Sequence, residues 1–180
     1  MRIIAGNLRG LVLNTFEAEN IRPTLDRARE GIFSKIQFNI RDAEVLDLFG
    51  GTGAISLEFL SRGAGKVITC DNNTKSIDLI KQNFKKARLI PNLIIGDCLD
   101  TINKLKDQKF DIIFLDPPFE TEFGIKSIEK IIENNLLKED GLIIFEHSSA
   151  RQFEYPTKLD LFDSKKYGYI TVDYLRYSND

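Results

Sequence analysis

Long hydrophobic runs are missing from this 180-residue sequence, and cysteine and histidine are scarce. No apolar stretch approaches the ~18 residues of a membrane span. The longest, Phe110–Leu115, has the length of a strand. The opening MRIIAGNLRG lacks the apolar segment of a secretion signal, so a cytoplasmic protein is expected. Two cysteines, Cys70 and Cys98, are too few for a disulfide framework or a metal cluster, and no metal is expected. The single histidine, His147, has no evident triad partner or metal-ligand spacing, which favours a structural or pocket-lining place over a base. With 12 glycines, 5 prolines, 42% hydrophobic and 29% charged residues, the chain is neither disordered nor fibrous.

What is present is one domain's length of chain with an uneven charge. The formal net charge is −2. Residues 1–41 carry seven basic and four acidic side chains, a net of +3, which leaves −5 for the rest. This split predicts a basic N-terminal extension (1–41), a short hairpin followed by a helix capped at Thr24, on a body of 42–180. Along that helix Arg27 and Arg29 project from different faces.

From residue 44 strands and helices alternate. Strands are expected at 45–49, 67–70, 92–95, 110–115 and 142–145, and helices at 54–62, 74–87, 99–106 and 125–136. Strand-like, aromatic segments at 159–162 and 169–177 close the chain as an antiparallel hairpin, whose tyrosines read as packing residues. The pattern predicts an open, mostly parallel α/β sheet, on which ligands bind beyond the carboxyl ends of the strands.

Those ends carry the chemistry. The first strand ends in Asp47-Leu48-Phe49-Gly50-Gly51-Thr52-Gly53, a turn that lets a ligand approach backbone and a helix N-terminus. Asp71, about twenty residues on, is placed to accept ribose hydroxyls. Asp47 separates two cofactor classes. A pyrophosphate at this turn would meet a repelling carboxylate, whereas the ammonium of S-adenosylmethionine would be attracted to it. Ser56 stands where a dinucleotide fingerprint has its third glycine, which also disfavours NAD. Asp97 and the N–H of Cys98 suit an adenine edge. Asp116-Pro117-Pro118-Phe119 is the most specific run: two prolines stiffen the backbone and remove N–H donors. The Asp116 carboxylate and Pro117 carbonyl then suit a planar NH2 group, with Phe119 as a stacking face.

Taken together, the arm (Arg2-Ile3-Ile4-Ala5-Gly6, Arg9-Gly10, Arg22-Pro23-Thr24, Asp26-Arg27, Arg29-Glu30), the run Asp47 to Ala54 with Leu57-Glu58 and Ser61-Arg62-Gly63-Ala64, and Asp116 to Phe119 resemble the RsmD family of 16S ribosomal RNA guanine-N2 methyltransferases. The resemblance covers essentially the whole chain. It departs at Gly50 and Thr52, where Ala and Ser are usual, and at Asn73, where an acid is common. The resemblance implies a Rossmann-like methyltransferase sheet of seven strands, the seventh antiparallel, with the N-terminal hairpin and helix added. It implies methyl transfer from S-adenosylmethionine to N2 of a guanine (the guanine-966 type). The partner would be ribosomal RNA, naked or in a small-subunit assembly intermediate, and the enzyme a monomer. Asp116, Pro117, Pro118 and Phe119 would form the catalytic loop. Asp47, Phe49, Gly50, Gly51, Thr52, Gly53, Asp71, Asn72, Asp97 and Cys98 would bind the cofactor, and Arg9, Arg22, Arg27 and Arg29 the RNA. Two alternatives are an amino-group methyltransferase on another nucleic acid, such as adenine N6 in DNA, and a non-catalytic RNA-binding assembly factor.

Overall fold

Period-two alternation of apolar residues in the central strands builds the sheet and both of its cores. In the computed structural model, which describes residues 1–16 and 23–179, Leu46, Ile68, Ile113 and Phe145 point to one face. There they pack with Ile102 and Leu105 and with Ile128 and Ile131. Their neighbours Val45, Val67, Ile112 and Ile144 point to the other, against Ile32, Phe33, Ile36 and Phe59.

The elements run α1 (Pro23–Lys35), β1 (Glu44–Asp47), α2 (Ala54–Ser61), β2 (Lys66–Asp71), α3 (Thr74–Lys86), β3 (Asn92–Ile95), α4 (Cys98–Lys104), β4 (Phe110–Leu115), α5 (Phe123–Glu133), β5 (Leu137–Ser148), β6 (Leu159–Tyr167) and β7 (Ile170–Tyr177). Seven strands form one sheet in the order β3-β2-β1-β4-β5-β7-β6. Strands β1 to β5 pair in parallel, and β7 lies antiparallel between β5 and β6. The chain reverses its direction of travel across the sheet between β1 and β4, so a crevice opens beyond their carboxyl ends. Among the described residues, no helix is long and apolar enough to cross a membrane.

Three local expectations change. α1 starts at Pro23 rather than behind a Thr24 cap, since proline suits the first helical turn, where an N–H has no partner to lose. β5 runs on to Ser148 because β7 pairs with it through His147 and Ser148; His147 is therefore in the strand, not after it. β6 continues through Asp163–Lys166, a polar stretch of the kind that edge strands use to deter further pairing.

The N-terminal hairpin, joined by the Arg2–Val12 bridge, is fastened to α2. Glu58 is fully buried and accepts the N–H groups of Ile4 (2.8 Å) and Ala5 (3.1 Å), and the Arg62 Nε–H (2.8 Å). Ser61 accepts the Leu8 N–H and donates to the Ala5 carbonyl. A Cβ on Gly6 would lie 1.9 Å from the Ser61 carbonyl oxygen, and its φ is +82°. Only glycine allows so close an approach.

Candidate active site

The turn after β1 is tied to both neighbouring strands. Leu48 N–H donates to the Phe114 carbonyl, and Gly50 N–H to the Cys70 carbonyl. Gly51 N–H donates to Asp71 Oδ2 at 2.8 Å, while Asp71 Oδ1 accepts the Asn73 N–H at 2.8 Å. Asn73 then caps α3, and Asp97 caps α4 through Oδ1 alone. Gly53 opens α2 at φ +80°. A Cβ at Gly51 would meet nothing within 4 Å, and its φ is +56°. Backbone and helix N-terminus thus stay open to a ligand.

Beyond β4, the Asp116 to Phe119 loop is held by Arg151. Its Nη1 donates to the carbonyls of Phe119 (2.8 Å) and Thr121 (2.7 Å), its Nη2 pairs with Glu122, and its guanidinium lies over Phe153. Thr121 closes the turn on the Pro118 carbonyl.

These elements surround one cavity of about 650 Å³, a volume typical of small-molecule sites. Phe49, Gly50, Gly51 and Thr52 form part of its wall, as do Asp71 and Asn72, Asp97 and Cys98, and the whole run Asp116 to Phe119. Asp47 and Gly53 lie outside the wall. Asp47 is fully buried behind the turn, where Oδ2 accepts the Ser56 hydroxyl at 2.7 Å and Oδ1 has no well-formed hydrogen bond among the described residues. Burial pushes its pKa up to about 7; the Ser56 hydroxyl opposes this and nearby Asp71 adds to it. Cys98 is buried, which raises its thiol pKa.

The wall has the chemistry that S-adenosylmethionine needs. Carboxylates stand at the ends of β2 and β3, a glycine turn stands between them and the Asp116 to Phe119 loop, and two buried nitrogens of Arg29 have no hydrogen-bond partner among the described residues.

Residues 1–176 match the model of the family described as conserved hypothetical protein 95. The ribosomal RNA small subunit methyltransferase D of Haemophilus influenzae is 33% identical over 183 residues, covering 99% of this chain and 94% of that one. The chain belongs to the RsmD family. The Escherichia coli protein of the same description is 33% identical over 147 residues, 81% of this chain and 74% of its own. Among solved structures, yhhF of Escherichia coli superposes with a TM-score of 0.86 at 26% identity, covering 98% of this chain and 97% of that one.

On this RsmD-family sheet the expected arginines divide. Arg9 and Arg27 are exposed, and Arg22 lies outside the described residues. Arg29, expected to face RNA, is instead 7% exposed and forms part of the cavity wall. The face of α1 that carries it packs inward, and its Nη2 donates to the Arg2 carbonyl. Tyr169, read as a packing residue, also reaches the wall from the β6–β7 turn. His147 bonds Asp173 and packs tilted against Phe145 and edge-to-face against Phe153, outside the wall.

Sequence reading passed over Glu146, which is buried in the wall beside Asp116. Burial, then the Asp116 charge, raises its pKa well above the carboxylate range. The signal was available: an acid directly follows the apolar run 142–145, as Asp116 follows Phe110–Leu115.

Proposed function

We propose that this chain transfers a methyl group from S-adenosylmethionine to the exocyclic N2 of a guanine in small-subunit ribosomal RNA. The observation that carries the reading is the joining of the glycine turn, Asp71 and the Asp116 to Phe119 loop in one cavity at the sheet's reversal point. The RsmD relatives, named ribosomal RNA small subunit methyltransferases, support the RNA substrate. The protein works as a cytoplasmic monomer, on RNA that is naked or within a small-subunit assembly intermediate.

When bound, S-adenosylmethionine supplies a methyl group activated by its sulfonium. Phe49, the glycine turn with Thr52, Asp71, Asn72, Asp97 and Cys98 hold the cofactor, and Asp47 supports the turn from behind. The amine of guanine is a poor nucleophile because its lone pair is delocalised into the ring. The Asp116 carboxylate and the Pro117 carbonyl accept its two hydrogens, which favours a pyramidal nitrogen with a localised lone pair. Phe119 holds the splayed-out base by stacking, and Pro118 keeps the loop rigid. Positioning within ~3–3.5 Å supplies much of the rate gain, and Asp116 takes the proton released. Arg9, Arg27 and Arg22 grip phosphates, so RNA affinity falls as salt rises.

Ribosomal RNA from cells lacking the protein, analysed by mass spectrometry, should lack one N2-methylguanine. The wild-type gene should restore it and an Asp116→Ala gene should not. Unchanged RNA, or tritium-methyl transfer to DNA in preference to RNA, would overturn the assignment.

A further inference from the structure

The cavity wall contains seven charged side chains among the described residues. Five are acids (Asp26, Asp71, Asp97, Asp116 and Glu146), and two, Lys75 and Arg29, are cations. Lys75 is exposed. Arg29 is therefore the one buried cation in the wall. Its Nη2 donates to the Arg2 carbonyl at 2.8 Å and lies 3.5 Å from Asp26 Oδ1, a carboxylate that is itself exposed. Nε and Nη1 are buried with no hydrogen-bond partner among the described residues. Buried N–H groups of a charged guanidinium are costly to leave unpaired, and a structural arginine would be expected to have them satisfied.

On the reading that S-adenosylmethionine is the donor, we infer that Arg29 binds the α-carboxylate of its methionine moiety. The acids in the wall suit hydroxyls, amines and an ammonium, but they repel a carboxylate. The planar guanidinium matches a carboxylate with parallel hydrogen bonds. The depth of the side chain selects among anions. A terminal carboxylate on a short flexible chain can reach a guanidinium that is nine-tenths buried. An RNA phosphodiester, flanked by two sugars, is better met by exposed side chains such as Arg9 and Arg27. Burial lowers the pKa of Arg29, and Glu58, Asp26 and Glu30 nearby draw it back up, an environment that a bound anion would improve.

The arm thereby becomes part of the cofactor site. Arg29 is anchored on the Arg2 carbonyl, and the hairpin that contains Arg2 is fastened to Glu58.

The test is calorimetric binding, without RNA, of S-adenosylmethionine and of its decarboxylated counterpart to the wild type, Arg29→Lys and Arg29→Gln. The wild type should bind the carboxylate-bearing compound about ten- to a hundredfold more tightly. Arg29→Gln should bind both compounds alike, with affinity for the decarboxylated one unchanged, which also shows that the cavity is intact. Arg29→Lys should fall between. Equal affinity of the wild type for both compounds, or an Arg29→Gln loss shared equally by both, would overturn the carboxylate assignment while leaving the donor in place. Full discrimination in Arg29→Gln would overturn it, and a separate RNA titration showing weakened binding by that variant would assign the side chain to a phosphate contact instead. A wild type that binds neither compound would remove the donor, and this inference with it.

Discussion

Asp116, just past the end of β4, and Glu146, on the neighbouring parallel strand β5, each lie one residue beyond the paired Leu115 and Phe145. Side by side at one end of the cavity, the two carboxyls do not readily ionise together. Burial, then the Asp116 charge, disfavours the charged form of Glu146, and the proposed mechanism takes Asp116 as the acceptor. Glu146→Gln, which mimics the protonated form, should therefore keep activity within about threefold of wild type at neutral pH. The wild type should lose activity on the alkaline side as Glu146 ionises, and the variant should lack that limb. A pH–rate profile of methyl transfer checks this; a neutral-pH collapse in Glu146→Gln would show that Glu146 works ionised.

Binding and chemistry should separate between Asp71 and Asp116. Asp116→Ala should reduce single-turnover methyl transfer by about a hundred- to ten-thousandfold with cofactor affinity nearly unchanged. Asp71→Ala should first weaken cofactor affinity, because it removes a carboxylate from the wall and releases the Gly51 N–H. Calorimetry and rapid quench on the same variants measure both. Unchanged affinity in Asp71→Ala would end its ribose assignment, and full turnover in Asp116→Ala would end its catalytic one.

Glu58→Ala should loosen the arm. It strips the acceptor from two backbone N–H groups and from Arg62, and breaking a buried ionic group of this kind costs about 3–5 kcal/mol. Hydrogen exchange at Ile4 and Ala5 should accelerate well beyond exchange in β4. Uniform acceleration across the chain would mean that the arm does not open separately.

Asp47 gives stability a pH dependence of defined sign. Its folded pKa, about 7, lies above the ordinary 3.8, so the folded state holds a proton that the unfolded chain has already lost. The wild type should thus lose stability relative to Asp47→Asn as pH rises from about 4 to 7, with no further change above. At about 1.4 kcal/mol per pKa unit, the gap should widen by roughly 4 kcal/mol at most. Denaturant melts at pH 5 and pH 8 measure it; a constant gap would show that Asp47 does not titrate in that window.

Much of the fold was legible because its signals are local. Apolar runs, glycine turns and capping residues predict the alternating elements, and parallel topology then sends ligands to the strand ends. Phe49 to Thr52, Asp71, Asp97 and the Asp116 loop all reach the cavity by that rule. β6 was harder to read, because Asp163–Lys166 is polar and owes its strand conformation to β7.

What the sequence by itself determined, then, was the order of the elements and the chemistry waiting at the ends of the strands, since each depends on residues close together in the chain. The tertiary structure decided burial. Arg29 became a cavity residue because α1 docks that face inward. Asp47 became a sealed carboxyl because α2 covers it through Ser56. Glu146 acquired its raised pKa from burial first, and then from Asp116, thirty positions earlier in the chain. Solvation and electrostatic coupling depend on what distant segments bring to a site, and sequence spacing alone carries no record of that.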